Sequence, residues 1–140
     1  MHKITFTIPT TLPTLNEIID TAKFKKGKYG AYRRMKSEYD FVVRTACPHT
    51  DFMLEYIRHI NVLWISKDKR TDKDNIRAGM KFILDGIQGK LLTKDGYNNI
   101  GAFSDSFELD KSNPRVVVTI YFNEEDKVCA KKNPKKKQKK

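Results

Sequence analysis

The sequence predicts a mixed α/β (α+β) domain: a mixed β-sheet packed with two main helices, in the order β-α-β-α-β-β. Three observations carry that prediction. Apolar residues alternate near the start, they recur at three- and four-residue spacing in two longer stretches, and β-branched and aromatic residues concentrate in three further short runs.

Each element follows from its own residues. In Lys3 to Pro9, Ile4, Phe6 and Ile8 face one way and Lys3, Thr5 and Thr7 the other, as a half-buried strand requires. Pro9, Pro13 and the stretch Phe24 to Gly30 read as a basic loop, with Asn16 to Ala22 offering a short turn of helix. From Ala31 to Ala46 the positions Tyr32, Met35, Tyr39, Val42, Val43 and Ala46 form the stripe of an amphipathic helix, which Pro48 stops. Tyr56 to Ile65 reads as a largely buried strand, with Ile60, Val62 and Trp64 on one face and Ile57, Leu63 and Ile65 on the other. A second helix is predicted over Asp74 to Gln88. Ile76, Gly79, Met80, Ile83, Leu84 and Ile87 make its stripe, Asp72 or Asp74 can cap its start, and Gly89 can close it. Ile100 to Leu109 and Arg115 to Phe122 read as two strands joined by the turn formers of Asp110 to Pro114.

Composition bounds the rest. The 140 residues, 39% hydrophobic and 32% charged, suit one compact domain, here residues 1–125. The 28 basic residues outnumber the 17 acidic ones by 11, yet eight lysines and no acid lie in Lys127 to Lys140, so residues 1–126 carry only +3. The lysine-rich tail, residues 126–140, lacks apolar residues to bury and is expected to be disordered. No run approaches the roughly 18 apolar residues a spanning helix needs, and Met1 to Thr10 lacks the order of a signal peptide, so a cytoplasmic location is expected. Cys47 and Cys129 lie too far apart in the chain for a disulfide framework or a zinc cluster, so any metal must be held by oxygen.

The chemistry-bearing segment is Arg70-Thr-Asp72-Lys-Asp74-Asn75. Carboxylates at i and i+2 of an extended segment point the same way and can converge on one hard cation. The plainer reading is that both aspartates only cap the helix and favour its dipole. At helical spacing Asp74, Arg77, Ala78, Lys81 and Asp85 share one arc, where a lysine can neutralise phosphate charge or simply pair with Asp85 at i, i+4. Thr93-Lys94-Asp95-Gly96 offers a third carboxylate, although turn chemistry alone also places Asp before Gly. The calcium-loop pattern fails at Ile76, and the glycines form no phosphate-cradling loop. His59 sits in a strand pattern and reads as packed or hydrogen-bonded instead of catalytic.

Together, Asp72-Lys-Asp74-Asn75-Ile76, Lys81-Phe-Ile-Leu-Asp85-Gly-Ile87 and Lys94-Asp95-Gly-Tyr-Asn-Asn-Ile100 resemble the RusA-type Holliday junction resolvases, endonucleases often encoded by phages and prophages. Thr14-Leu-Asn16-Glu-Ile-Ile19 and the Asp110-Lys-Ser-Asn-Pro-Arg-Val116 hairpin resemble the variants of Gram-positive bacteria and their phages. The resemblance implies a RusA-like fold and a homodimer that binds the four-way DNA junction by shape and nicks two opposed strands with Mg²⁺ or Mn²⁺. It places the metal-binding and catalytic aspartates on Asp72, Asp74 and Asp95. The family's catalytic lysine falls on Ala78, and its role is assigned to Lys81 through a local insertion of about one turn. It also casts Lys25, Lys26, Lys28, Arg33, Arg34, Lys69 and Arg70 as DNA-binding. Two rivals stay open: a non-catalytic nucleic-acid-binding protein, and a metal nuclease acting on flaps or other branched DNA.

Overall fold

The computed structural model describes residues 1–22 and 30–129. The chain is a mixed α+β fold. Strand β1 (His2–Ile8) is followed by helices α1 (Leu15–Ala22) and α2 (Ala31–Ala46), and then by strands β2 (Phe52–Leu54) and β3 (His59–Ser66). A helical run comes next, α3 (Lys73–Ile76) and α4 (Met80–Ile87), and then strands β4 (Phe103–Leu109), β5 (Arg115–Phe122) and β6 (Lys127–Cys129).

Four strands form the main sheet in the order β1-β5-β3-β4. β5 runs antiparallel to both β1 and β3, placing Val118 opposite Phe6 and Val62, whereas β3 and β4 are parallel, with Trp64 opposite Phe107. One face of this sheet makes the core. Ile8, Ile60, Val62, Trp64, Val118 and Ile120 pack there against Val43, Phe82, Ile83 and Ile87 of the helices. The opposite face is polar and half-exposed: Thr5 and Thr119 hydroxyls meet at 3.2 Å, and the Ser104 hydroxyl, 2.7 Å from His59 Nε2, donates to Asn61 at 2.8 Å. His59 is therefore a hydrogen-bonded strand residue, and the alternation of β1 is that of a sheet with one wet face.

The helices are tied by side chains as well as by apolar packing. Thr14 and Glu17 form a reciprocal capping box at the start of α1, at 2.9 and 3.3 Å. Tyr39 of α2 meets Phe82 of α4 with ring centroids 5.8 Å apart. Arg44 of α2 donates to the Asp85 and Gln88 carbonyls at 3.2 and 2.9 Å, placing a cation at the carboxyl end of α4, where the helix dipole favours it. Cys47 is fully buried and burial pushes its thiol up to about 11, which keeps it protonated and inert; Cys129 is exposed, and both are free.

Four expectations are corrected. The helix expected over Asp74 to Gln88 is interrupted: Arg77–Gly79 form a 3₁₀ turn between α3 and α4. The strands expected over Tyr56 to Ile65 and Ile100 to Leu109 begin later, at His59 and Phe103, and only an isolated bridge, Ile57 to Ile100, extends their pairing. The Asp110 to Val116 hairpin is no hairpin, because β3 lies between β4 and β5 and the segment crosses its end, where the Asp110 amide donates to the Ser66 carbonyl at 2.8 Å. The tail does not begin at residue 126. Lys127–Cys129 pair with β2, and Asp126, 5% exposed, is held by Arg58 Nε and Nη2, both at 3.0 Å. Residues 130–140, most of the expected disordered tail, lie outside the described residues.

Two stability predictions follow from these contacts. Asp126 accepts a third bond, 2.7 Å from the Asn123 amide, and the Arg58 hydrogen bonds, above all, hold its carboxyl below the ordinary carboxylate range. A lowered folded pKa gives stability that is complete above the unfolded pKa, about 3.9, and lost as pH falls through the folded value. Asp126→Asn is therefore expected to cost about 2 kcal/mol at neutral pH, with the gap to wild type closing below about pH 4 in urea titrations. At Gly86 an added Cβ would collide with Cβ and Cγ1 of fully buried Val43. Gly86→Ala gains about 1 kcal/mol of helix propensity but forces α2 and α4 apart, so a net loss of about 1–3 kcal/mol is expected by thermal melting.

Candidate active site

The site begins where β3 ends. Beyond Ser66 the chain turns at Asp68, whose carboxylate accepts the Arg70 amide at 3.0 Å, and reaches Asp72 in an extended conformation, φ −67° and ψ 151°. Asp72 is the N-cap residue of α3 by its backbone: its carbonyl accepts the amides of Asn75 and Ile76 at 3.0 and 3.1 Å. Its carboxylate makes no capping bond. Asp74, in the first turn of α3, is likewise without a hydrogen-bonded or ion-paired partner among the described residues. Of the two caps in the plainer reading only Asp72 is one, through its backbone alone, while Asp74 lies inside the first turn; both carboxylates are exposed to solvent and remain available to a ligand.

Both line one cleft of about 690 Å³ between the β3–α3 connection and the end of β4, together with Asp68, Lys69, Phe107 and Glu108. Lys73 Nζ stands 5.4 Å from the Phe107 ring centroid, a cation held over the apolar floor. The cleft lies at the carboxyl ends of the parallel pair β3 and β4, the location where α/β sheets place ligands. Two free carboxylates in a cleft fit a hard cation such as Mg²⁺, which takes one or two protein carboxylates and completes its shell with water and phosphate oxygens.

Asp95 is not brought to them. It lines a different cleft, of about 490 Å³, with Tyr56, Tyr97 and Phe103 at the start of β4, whereas Asp72 and Asp74 stand by Leu109 at its end. At about 3.3 Å per residue these ends are about 20 Å apart, beyond any shared coordination shell. Among the described residues no three His, Cys, Asp or Glu side chains converge as a metal cage. The helical run explains the separation: it travels back along the sheet, and Asp95 follows its far end.

Lys81 is exposed on the first turn of α4 and lines neither cleft. Each residue of a 3₁₀ turn advances about 120° instead of 100°, so Arg77–Gly79 rotate Lys81 by about 60° from the arc it was expected to share with Asp74. The alternative ion pair of Lys81 with Asp85 does not form either among the described residues. Lys69 and Arg70 are exposed beside the carboxylates, with Lys69 lining their cleft. Arg33 and Arg34 are exposed on the first turns of α2; Arg33 lines a separate groove between α2 and α4 with Lys36, Asp40 and Arg44. Lys25, Lys26 and Lys28 lie outside the described residues.

Sequence reading missed the polar group beside the cleft. Asp105 sits in the middle of β4, on the same face as Phe103 and Phe107, and is bound by Arg77 Nε at 2.8 Å and Trp64 Nε1 at 2.7 Å. A signal existed: a carboxylate at an inward position of an otherwise apolar strand face needs a partner. Scans with protein-family models match nothing in this chain, and no curated protein is similar to it at a significant level.

Proposed function

We propose that the chain is a divalent-cation-dependent endodeoxyribonuclease acting on branched DNA, the four-way junction above all, with Asp72 and Asp74 as its cation ligands. One observation carries this reading: two carboxylates at i and i+2 share a cleft at the carboxyl ends of parallel strands, and neither is spent on capping or pairing. The resemblance of the Asp72-Lys-Asp74-Asn75 segment and its surroundings to the RusA-type resolvases supplies the substrate class.

When bound, Mg²⁺ or Mn²⁺ supplies Lewis-acid activation of the scissile phosphate and of water at neutral pH. The chain's own residues do the rest. Asp72, in extended backbone, and Asp74, inside the first turn of α3, would offer the oxygen ligands from the cleft that both line, and a shared cation would relieve their negative charge. Lys69, Arg70 and Lys73 engage neighbouring phosphates, which fixes the register of the strand without reading its sequence. Residues 130–140, with seven lysines and no acid, add sequence-independent attraction. A homodimer suits the substrate, because a junction presents two equivalent strands related by a two-fold axis. Asp95, in its separate cleft, is left out of the cation site, and action inside the cytoplasm follows from the same reading.

The deciding experiment compares a synthetic four-way junction with a flap and a linear duplex of the same sequence, with Mg²⁺ and with EDTA. Paired nicks on the junction alone are expected, lost with EDTA and with Asp74→Asn, while the variant still binds and its stability stays within about 0.5 kcal/mol of wild type. Junction binding with no cut under any condition would move the protein to the non-catalytic class, and equal cutting of flaps would move it to a general branched-DNA nuclease. Removing residues 130–140 is expected to flatten the salt dependence of binding and to weaken it, with cleavage retained at saturating DNA.

A further inference from the structure

We infer that Arg77 binds a phosphate of the DNA beside the Asp72–Asp74 pair, and that Asp105 and Trp64 position it for that contact; the inference rests on the nuclease reading above. Arg77 stands one turn from Asp74, at i+3, in the 3₁₀ turn that follows α3. Its Nε donates to Asp105 Oδ2 at 2.8 Å, while Asp105 Oδ1 is taken by the buried Trp64 indole at 2.7 Å. This is a one-sided pairing. Arginine binds a carboxylate best through two parallel bonds, but here the second carboxylate oxygen is already occupied. Both Nη groups of Arg77 consequently have no partner among the described residues, and the side chain is 42% exposed.

The anchor is stiff on one side and open on the other. Trp64 is 2% exposed, and its six-membered ring lies against Gly79, where an added Cβ would stand 3.1 Å from Cζ3. Asp105, with a side chain 16% exposed, is therefore fixed by the core, and it fixes the guanidinium in turn. Asp105 is two residues from Phe107 on the same face of β4, and Phe107 lines the Asp72–Asp74 cleft; Arg77 and Asp105 are not themselves among the lining residues, so the guanidinium stands outside the cleft, one helical turn from Asp74. A planar, permanently charged fork with its remaining donors directed outward matches a phosphodiester, whose two free oxygens accept in the same plane. Lys81, turned away by the 3₁₀ turn, does not occupy this place.

The test uses the full chain and a labelled four-way junction, with Arg77→Ala, Arg77→Lys and Asp105→Asn, each checked by thermal melting. Binding is titrated against salt in EDTA, and cleavage is followed in single turnover with Mg²⁺ at saturating DNA. Arg77→Ala is expected to lower affinity about tenfold and the salt slope by about one. Arg77→Lys should keep the slope but cut slowly, since it lacks the fork. Asp105→Asn keeps both the Arg77 charge and an acceptor for Trp64, and should likewise bind but cut slowly. Guanidinium ion added to Arg77→Ala should restore part of the cleavage, which a merely structural arginine would not allow. Should Arg77→Ala fail to fold, Arg77→Lys and Asp105→Asn decide. Folded variants that keep the wild-type salt slope and cleavage rate, while Asp74→Asn is inactive, would overturn the role of Arg77 and leave the nuclease reading standing. A wild-type protein that neither binds nor cuts the junction would overturn both.

Discussion

The parallel pairing of β3 with β4 constrains the rest of the structure. Parallel strands that follow one another in the chain require a crossover, and here the helical run α3–α4 supplies it on the core face of the sheet. The crossover must pass close over Trp64, and Gly79 makes the approach possible because it has no side chain to collide with Leu12 and the indole. Both strands then end on the same side, so the carboxylates at the start of α3 face the end of β4. β5 is left to return on the other flank of β3, antiparallel, with Asp110 to Pro114 bridging the gap over Ser66. The same crossover carries Asp95 to the opposite end of the sheet.

What could be read from the sequence was what depends on local pattern. The helix over Ala31–Ala46 and the strand over Arg115–Phe122 were legible to the residue, because one apolar stripe or one alternation defines each. The 3₁₀ turn at Arg77–Gly79 was not, since over three residues the two helical periods differ by less than the width of an apolar stripe. β2 and β6, three residues each, are too short for any period, and the salt bridge that fastens them joins Arg58 to Asp126 across 68 positions. Turn chemistry at Asp110 to Pro114 signals a reversal of the chain without saying which strand it meets. Asp72 and Asp74 were legible as a pair because their spacing is local. Asp95 was misplaced because closeness in sequence to a helix end stands for closeness in space only when the helix does not run back along its strand.

Charge is divided between two scales. The lysine-rich segment attracts any polyanion, but at physiological salt its field fades within about 8 Å, so under the proposed function it would gather DNA and not orient it. Orientation needs contacts with fixed geometry, which the folded part offers at a few points near the cleft. With only +3 over residues 1–126, the acidic pair is a local exception and not a feature of the whole surface. Two like charges left unpaired on a helix start gain something from the dipole and lose something to each other, so their presence favours a ligand more than it favours the fold.

Stability and the proposed chemistry therefore occupy different atoms over most of the molecule. The apolar cluster under the helices, the Arg58–Asp126 pair and the Arg44 bonds to the end of α4 hold the fold, and only the edge of the cluster, at Ile76 and Phe107, reaches the cleft. Asp72 and Asp74 do the reverse: they line the cleft, and their side chains make no hydrogen bond or ion pair among the described residues. Asp105 is where the two sets meet, because one of its oxygens serves a core indole and the other an exposed guanidinium. Deleting that carboxylate strands a buried N–H, which costs about 1–3 kcal/mol, so a truncation there confuses folding with function. Asparagine separates the two, since its one carbonyl oxygen can still accept from the indole while its amide nitrogen, a donor, replaces the charged oxygen that accepts from Arg77.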